Sequence, residues 1–120
     1  MRLWKGNIML TLRQFYLTKL IEECQEVSQR AAKSMQFGPT EAQSQSGIST
    51  TQNKDQDKTN ATRLRDEVED LLAVITLVEY KTDDLPMISI SDHISRKVSK
   101  AVKIKKYLKY SQELEMVEND

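Results

Sequence analysis

Two acidic clusters carry most of the chemistry this sequence offers: Glu22-Glu23-Cys24-Gln25-Glu26 and Glu67-Val68-Glu69-Asp70. Each sits inside a run whose apolar residues recur at helical spacing. At about 100° per residue, Glu23 and Glu26 project about 60° apart on adjacent turns, and Glu67 and Asp70 do the same. Both pairs flank the apolar stripe of their helix, so packing the two stripes together brings the pairs face to face. Four carboxylates converging at a helix–helix seam repel one another unless a cation sits among them. An all-oxygen ligand set suits a hard ion, Mg²⁺ with Mn²⁺ as a substitute. Lys19, Arg30 and Lys33 lie near the first cluster, and Arg63 precedes the second by one turn. A metal ringed by cations fits a polyanion such as a nucleotide phosphate tail, with the ion holding phosphates and activating a water. One acidic pair at three-residue spacing is ordinary on a solvated helix. Two such pairs, each bordering a strongly apolar stripe, are what support metal binding.

The elements that must hold these side chains read as helices. From about 10 to 36, Leu17, Leu20, Ile21, Cys24, Val27, Ala31 and Met35 recur at three- and four-residue steps, the pattern of one apolar stripe. Gly38-Pro39 ends that helix. Cys24 falls among apolar positions and reads as a small core residue, and a single cysteine excludes an internal disulfide framework. Residues 40–59 are mostly Gln, Ser, Thr, Asn, Lys and Asp, with Glu41, Ala42, Gly47 and a single isoleucine, Ile48. That composition buries too little to offset its ordering entropy and predicts a long mobile loop. A second helix starts near 59–62, where Thr and Asn offer N-caps, and runs to about 80. Its second half, LLAVITLV, is apolar nearly all the way round. Such a helix is buried on several sides, which a chain of this size covers only by oligomerising through it. A third helix begins near 91 or 92. It carries Arg96, Lys97, Lys100, Lys103, Lys105, Lys106 and Lys109. The predicted fold is all-α: one domain over 1–120, built as an antiparallel helical bundle.

Composition narrows the function. The 120 residues hold 18 Lys+Arg against 18 Asp+Glu, so no global field recruits nucleic acid or a membrane, and electrostatic function must come from local segregation. The N-terminus lacks the apolar stretch of a signal peptide, and no segment approaches the roughly 18 apolar residues of a membrane span, so a cytoplasmic location is expected. Dinucleotide-type glycine patterns, Walker A, CxxC pairs and HExxH are absent, as is an EF-hand loop. Lys33, Asn60, Lys103 and Lys106 are the candidate phosphate contacts, and Tyr107 and Tyr110 read as core packing, ahead of stacking on a ligand or closing the site.

KLIEECQEVSQRAAKSMQFG followed by TNATRLRDEVEDLLAVITLV resembles the MazG-like family of all-α nucleoside triphosphate pyrophosphohydrolases. Its signature of EExxE on one helix and ExxD on the next stands complete here as Glu22, Glu23 and Glu26, then Glu67 and Asp70. The short phage and prophage versions are the most similar. Their KxxxFG-like helix end, Thr-Asn pair and KYLxYS-like tail correspond to 33–38, 59–60 and 106–111. The polar 40–59 segment makes the spacing between motifs longer than in many members. The resemblance implies hydrolysis of a (d)NTP between the α and β phosphates, giving (d)NMP and pyrophosphate. Metal ligation would fall to Glu23, Glu26, Glu67 and Asp70, with Glu22 as a supporting ligand or water-orienting group, making these five the catalytic set. It also implies a homo-oligomer, a dimer or tetramer, in a bacterial or phage-infected cytoplasm. MazZ-like phage relatives act on dGTP in pathways that replace adenine with diaminopurine, which makes dGTP the specific expectation. A reading from another class is a non-catalytic helical module that binds a protein or nucleic acid. Balanced charge argues against nucleic acid, and the basic third helix argues for it.

Overall fold

A computed structural model describes residues 3–4, 7–42 and 58–120. Most of the expected 40–59 loop lies outside the described residues. The fold is helical: α1 (Leu12–Phe37), α2 (Asn60–Lys81) and α3 (Ile90–Glu113). Ahead of them is a minimal antiparallel ribbon of β1 (Leu3–Trp4) and β2 (Asn7–Ile8), with Leu3 opposite Ile8 and Trp4 opposite Asn7. The chain divides into two compact units, Met1–Leu85 and Pro86–Asp120. Among the described residues, no helix is long and apolar enough to cross a membrane.

Each helix start is set by local chemistry. Thr11 caps α1 through a capping box. Its hydroxyl accepts from the Gln14 amide at 3.1 Å, and the Gln14 side chain accepts from the Thr11 amide at 2.9 Å. α1 ends at Gly38, whose φ of 89° lies in the region that glycine tolerates. Ser89 caps α3 by accepting from the Asp92 amide at 3.2 Å.

The start of α2 also fixes the hairpin. The first backbone amides of a helix have no partner within it. Here Asn60 donates to the Glu41 carbonyl (2.9 Å) and Ala61 to that of Pro39 (3.0 Å), while Thr62 donates to the Thr59 hydroxyl (3.2 Å). A single bridge pairs Ala42 with Thr59, and the buried Asn60 side chain donates to the Gly38 carbonyl at 2.9 Å. The chain leaving α1 therefore supplies the partners that α2 needs, and the two helix ends are held together whatever lies between 43 and 57. At the opposite end, the Arg13 guanidinium makes a bidentate pair with Asp84, both contacts 2.7 Å. The α1–α2 hairpin is thus antiparallel.

Its core is thin. Val78 is the only fully buried apolar residue among those described, and Leu17, Leu20, Val27, Leu64, Val68, Leu71, Val74 and Ile75 are half-buried. The broad stripe expected on α1 splits. Leu17, Leu20 and Val27 are partly covered, while Ile21, Ala31 and Met35 are exposed. Cys24 is exposed too, contrary to its expected core position. A single antiparallel partner covers a seam narrower than the apolar face that α1 presents.

Candidate metal centre

Glu23 projects from α1, and Glu67 and Asp70 from α2, one turn apart. One carboxylate oxygen from each lies within 4.8 Å of the others, with Glu23 and Glu67 half-buried and Asp70 exposed. Glu26, one turn along α1, neighbours both Glu23 and Glu67, and its charge opposes theirs. Carboxyls crowded in this way need either a shared proton or a cation between them. Burial, then the charges of Glu26 and Asp70, push the Glu23 carboxyl above its ordinary value. Burial and the contact with Glu26 do the same to Glu67. One oxygen of Glu23 and one of Glu67 are buried with no hydrogen-bond partner among the described residues. Buried polar atoms are normally satisfied, and carboxyls left so, in a cluster of this kind, could hold a cation.

The donor set fits one. Only carboxylate oxygens converge, the chemistry of hard divalent ions. Around an octahedral ion at about 2.1 Å, ligand oxygens stand about 3 to 4.2 Å apart. Glu22 faces elsewhere: it pairs with Lys19 at 3.2 Å, and that ammonium also sits 5.5 Å above the Phe15 ring. It reaches the cluster only through weak repulsion of Glu23.

Beside the carboxylates is a cavity of about 200 Å³ lined by Arg30, Lys58, Arg63, Asp66, Glu67 and Asp70. Lys58 pairs with Asp66 at 2.9 Å, and Arg63, almost fully buried, donates to the Lys58 carbonyl at 3.3 Å. One terminal nitrogen of the Arg30 guanidinium is buried without a partner among the described residues. The cavity thus has an acidic wall and a basic wall, and each retains unspent hydrogen-bonding capacity.

The α1 cation that lines this cavity is Arg30; Lys33, one turn further along, is half-buried. Asn60 is fully buried, and its amide group clamps the hairpin. Lys103 and Lys106 belong to the other unit, where they line a cleft with Tyr107 and Tyr110. Sequence reasoning passed over Lys58 and Asp66. Lys58 sits inside a stretch that reads as loop, and only the clamp at Glu41 and Asn60 carries it to the cavity. No protein-family model matches this chain, and no curated protein or solved structure matches it.

Proposed function

We propose that this protein is a Mg²⁺-dependent nucleotide pyrophosphohydrolase that cleaves a (d)NTP between its α and β phosphates. The observation that carries the reading is the pairing of unsatisfied charges. Buried carboxylate oxygens from α1 and α2 sit beside a cavity whose other wall holds a buried guanidinium nitrogen, all without a partner among the described residues. The first calls for a cation and the second for an anion. A metal-bound polyphosphate supplies both, and the EExxE and ExxD motifs name the chemistry.

On this reading Glu23, Glu26, Glu67 and Asp70 hold the ion. When bound, it neutralises phosphate charge and lowers the pKa of the attacking water. One of these carboxylates would take the water's proton, with Glu22 as a supporting or water-orienting group. Arg30 and Arg63 orient the phosphate chain, and Lys33 supplies a further contact. The family resemblance extends this to residues 1–120 as one MazG-like domain, to dGTP as substrate and to a nucleotide-pool role in the cytoplasm.

Assembly belongs to the same proposal. On α2, Leu72 is 51 % exposed, Leu77 45 % and Tyr80 69 %, an apolar surface large for a lone hairpin. A second copy packed on α2 removes it from water, giving a dimer or a dimer of dimers. Light scattering after size exclusion tests this, and an active species at 13.9 kDa defeats it. For the reaction, the test is a panel of NTPs and dNTPs with Mg²⁺, resolving NMP plus pyrophosphate from NDP plus phosphate. Mg²⁺-dependent pyrophosphate release is expected. Its absence across the panel leaves the non-catalytic interaction module.

A further inference from the structure

Residues 96–109 hold seven Lys and Arg and no Asp or Glu. All of them are exposed on α3. Projected at about 100° per residue, Ile90, Ile94, Ala101, Ile104 and Leu108 form one stripe. Arg96, Lys103, Lys106, Tyr107 and Tyr110 project away from it, about 100° or more from its centre, with Lys100 at their margin. The two tyrosines are 72 % and 61 % exposed, which corrects the expectation that they pack in a core. With Lys103 and Lys106 they line a cleft of about 410 Å³.

The arrangement repeats. Lys103 precedes Tyr107 by four residues, and Lys106 precedes Tyr110 by four, so each ammonium neighbours one ring on the helix surface. The second pair is displaced from the first by three residues, roughly 4.5 Å along the axis.

A solvated basic face needs no aromatic rings, and a packing face would not surround its rings with lysines. Covering Tyr107 and Tyr110 with a second copy of the chain desolvates Lys103 and Lys106 against like charges. A membrane surface takes up the apolar stripe, on the other side of the helix. What matches alternating cations and planar rings is a polymer of alternating phosphates and planar bases. We propose that this face of α3 binds single-stranded nucleic acid. Bases stack on Tyr107 and Tyr110, Lys103 and Lys106 meet the intervening phosphates, and Arg96 and Lys100 extend the track. The inference stands on the second unit alone and is independent of the hydrolase reading.

The test is fluorescence anisotropy of labelled oligo(dT) with the full chain in EDTA, so that no metal-dependent hydrolysis contributes. Four cations on the track predict a log–log salt slope of about −3, at about 0.7 per phosphate. Tyr107→Ala with Tyr110→Ala weakens binding by about tenfold or more, while Tyr107→Phe with Tyr110→Phe keeps the rings and retains it. Lys103→Ala with Lys106→Ala flattens the slope by about 1.4. Far-UV circular dichroism confirms that the helix survives each change. Three results overturn the proposal: no binding in low salt, unchanged affinity in the tyrosine-to-alanine variant, or equal displacement by polyglutamate. Displacement by dTTP at equal phosphate concentration also overturns it, in favour of a free-nucleotide site.

Discussion

In the α1–α2 hairpin, carboxylates from two helices are held within 4.8 Å of one another, with buried oxygens that have no partner among the described residues. On α3, seven cations crowd into fourteen positions, yet every one is exposed and solvated. Like charges near water relax into it at little cost. Like charges held by packing cannot, and they persist only because the rest of the hairpin overdetermines where α1 and α2 meet. The contrast separates a site from a surface. In the hairpin, charge density is bound up with burial and unmet hydrogen-bonding capacity; on α3 it is bound up with exposure and repetition.

The hairpin side of this contrast predicts the largest effect. Glu67→Gln or Asp70→Asn is expected to lower Mg²⁺-dependent pyrophosphate release by on the order of a hundredfold or more, since a lost ligand removes several kcal/mol of charge stabilisation. The same changes relieve repulsion, so the metal-free protein should melt higher while its Mg²⁺-induced rise in Tm disappears. Wild-type turnover in both variants breaks the four-carboxylate assignment.

The clamp that holds the clusters together comes next. Asn60→Ala removes a buried donor to the Gly38 carbonyl, and the expected cost is about 1–3 kcal/mol in a denaturant melt. An unchanged midpoint would show that the backbone bonds from Asn60 and Ala61 suffice.

A smaller effect follows from protonation. Glu23 and Glu67 have carboxyl pKa values raised above the ordinary 4.5, so between that value and the raised one the folded state binds more protons than the unfolded state. Stability of the metal-free protein therefore falls as pH rises through this window, and Mg²⁺ should remove the slope. Thermal melts from pH 4 to 8 with and without Mg²⁺ would show it. A metal-free protein that gains stability over the same interval contradicts the shifts.

The smallest effect belongs to the Arg13–Asp84 pair. Arg13 holds the Asp84 carboxyl below its usual 3.8, so the pair's contribution is present above that value and is lost as pH falls through the lowered one. Both groups are solvent-screened, and Asp84→Asn should move Tm at the edge of detection. A loss comparable to that of Asn60→Ala would mean that this end governs the hairpin.

Much of the helical framework was legible because its signals are local. Gly38 with Pro39 ends α1, Thr59 caps α2 and Ser89 caps α3, each near the position that spacing indicates, since caps and breakers act within a turn or two of themselves. Glu23, Glu67 and Asp70 were legible as a group because three-residue spacing beside an apolar stripe fixes which way a side chain leaves its helix. The sequence alone therefore determined the helices, the sign and position of each charged face, and the facing of the two acidic pairs. Tertiary structure decided the rest. The backbone partners supplied by Pro39 and Glu41 brought Lys58 and Asp66 to the cavity, and the narrow seam against α2 left Cys24 and Ile21 outside. Exposure on α3 turned Tyr107 and Tyr110 from core candidates into surface groups. These outcomes depend on which residues meet across the hairpin and on how much of each apolar face a neighbour covers, and neither is encoded within a single turn of helix.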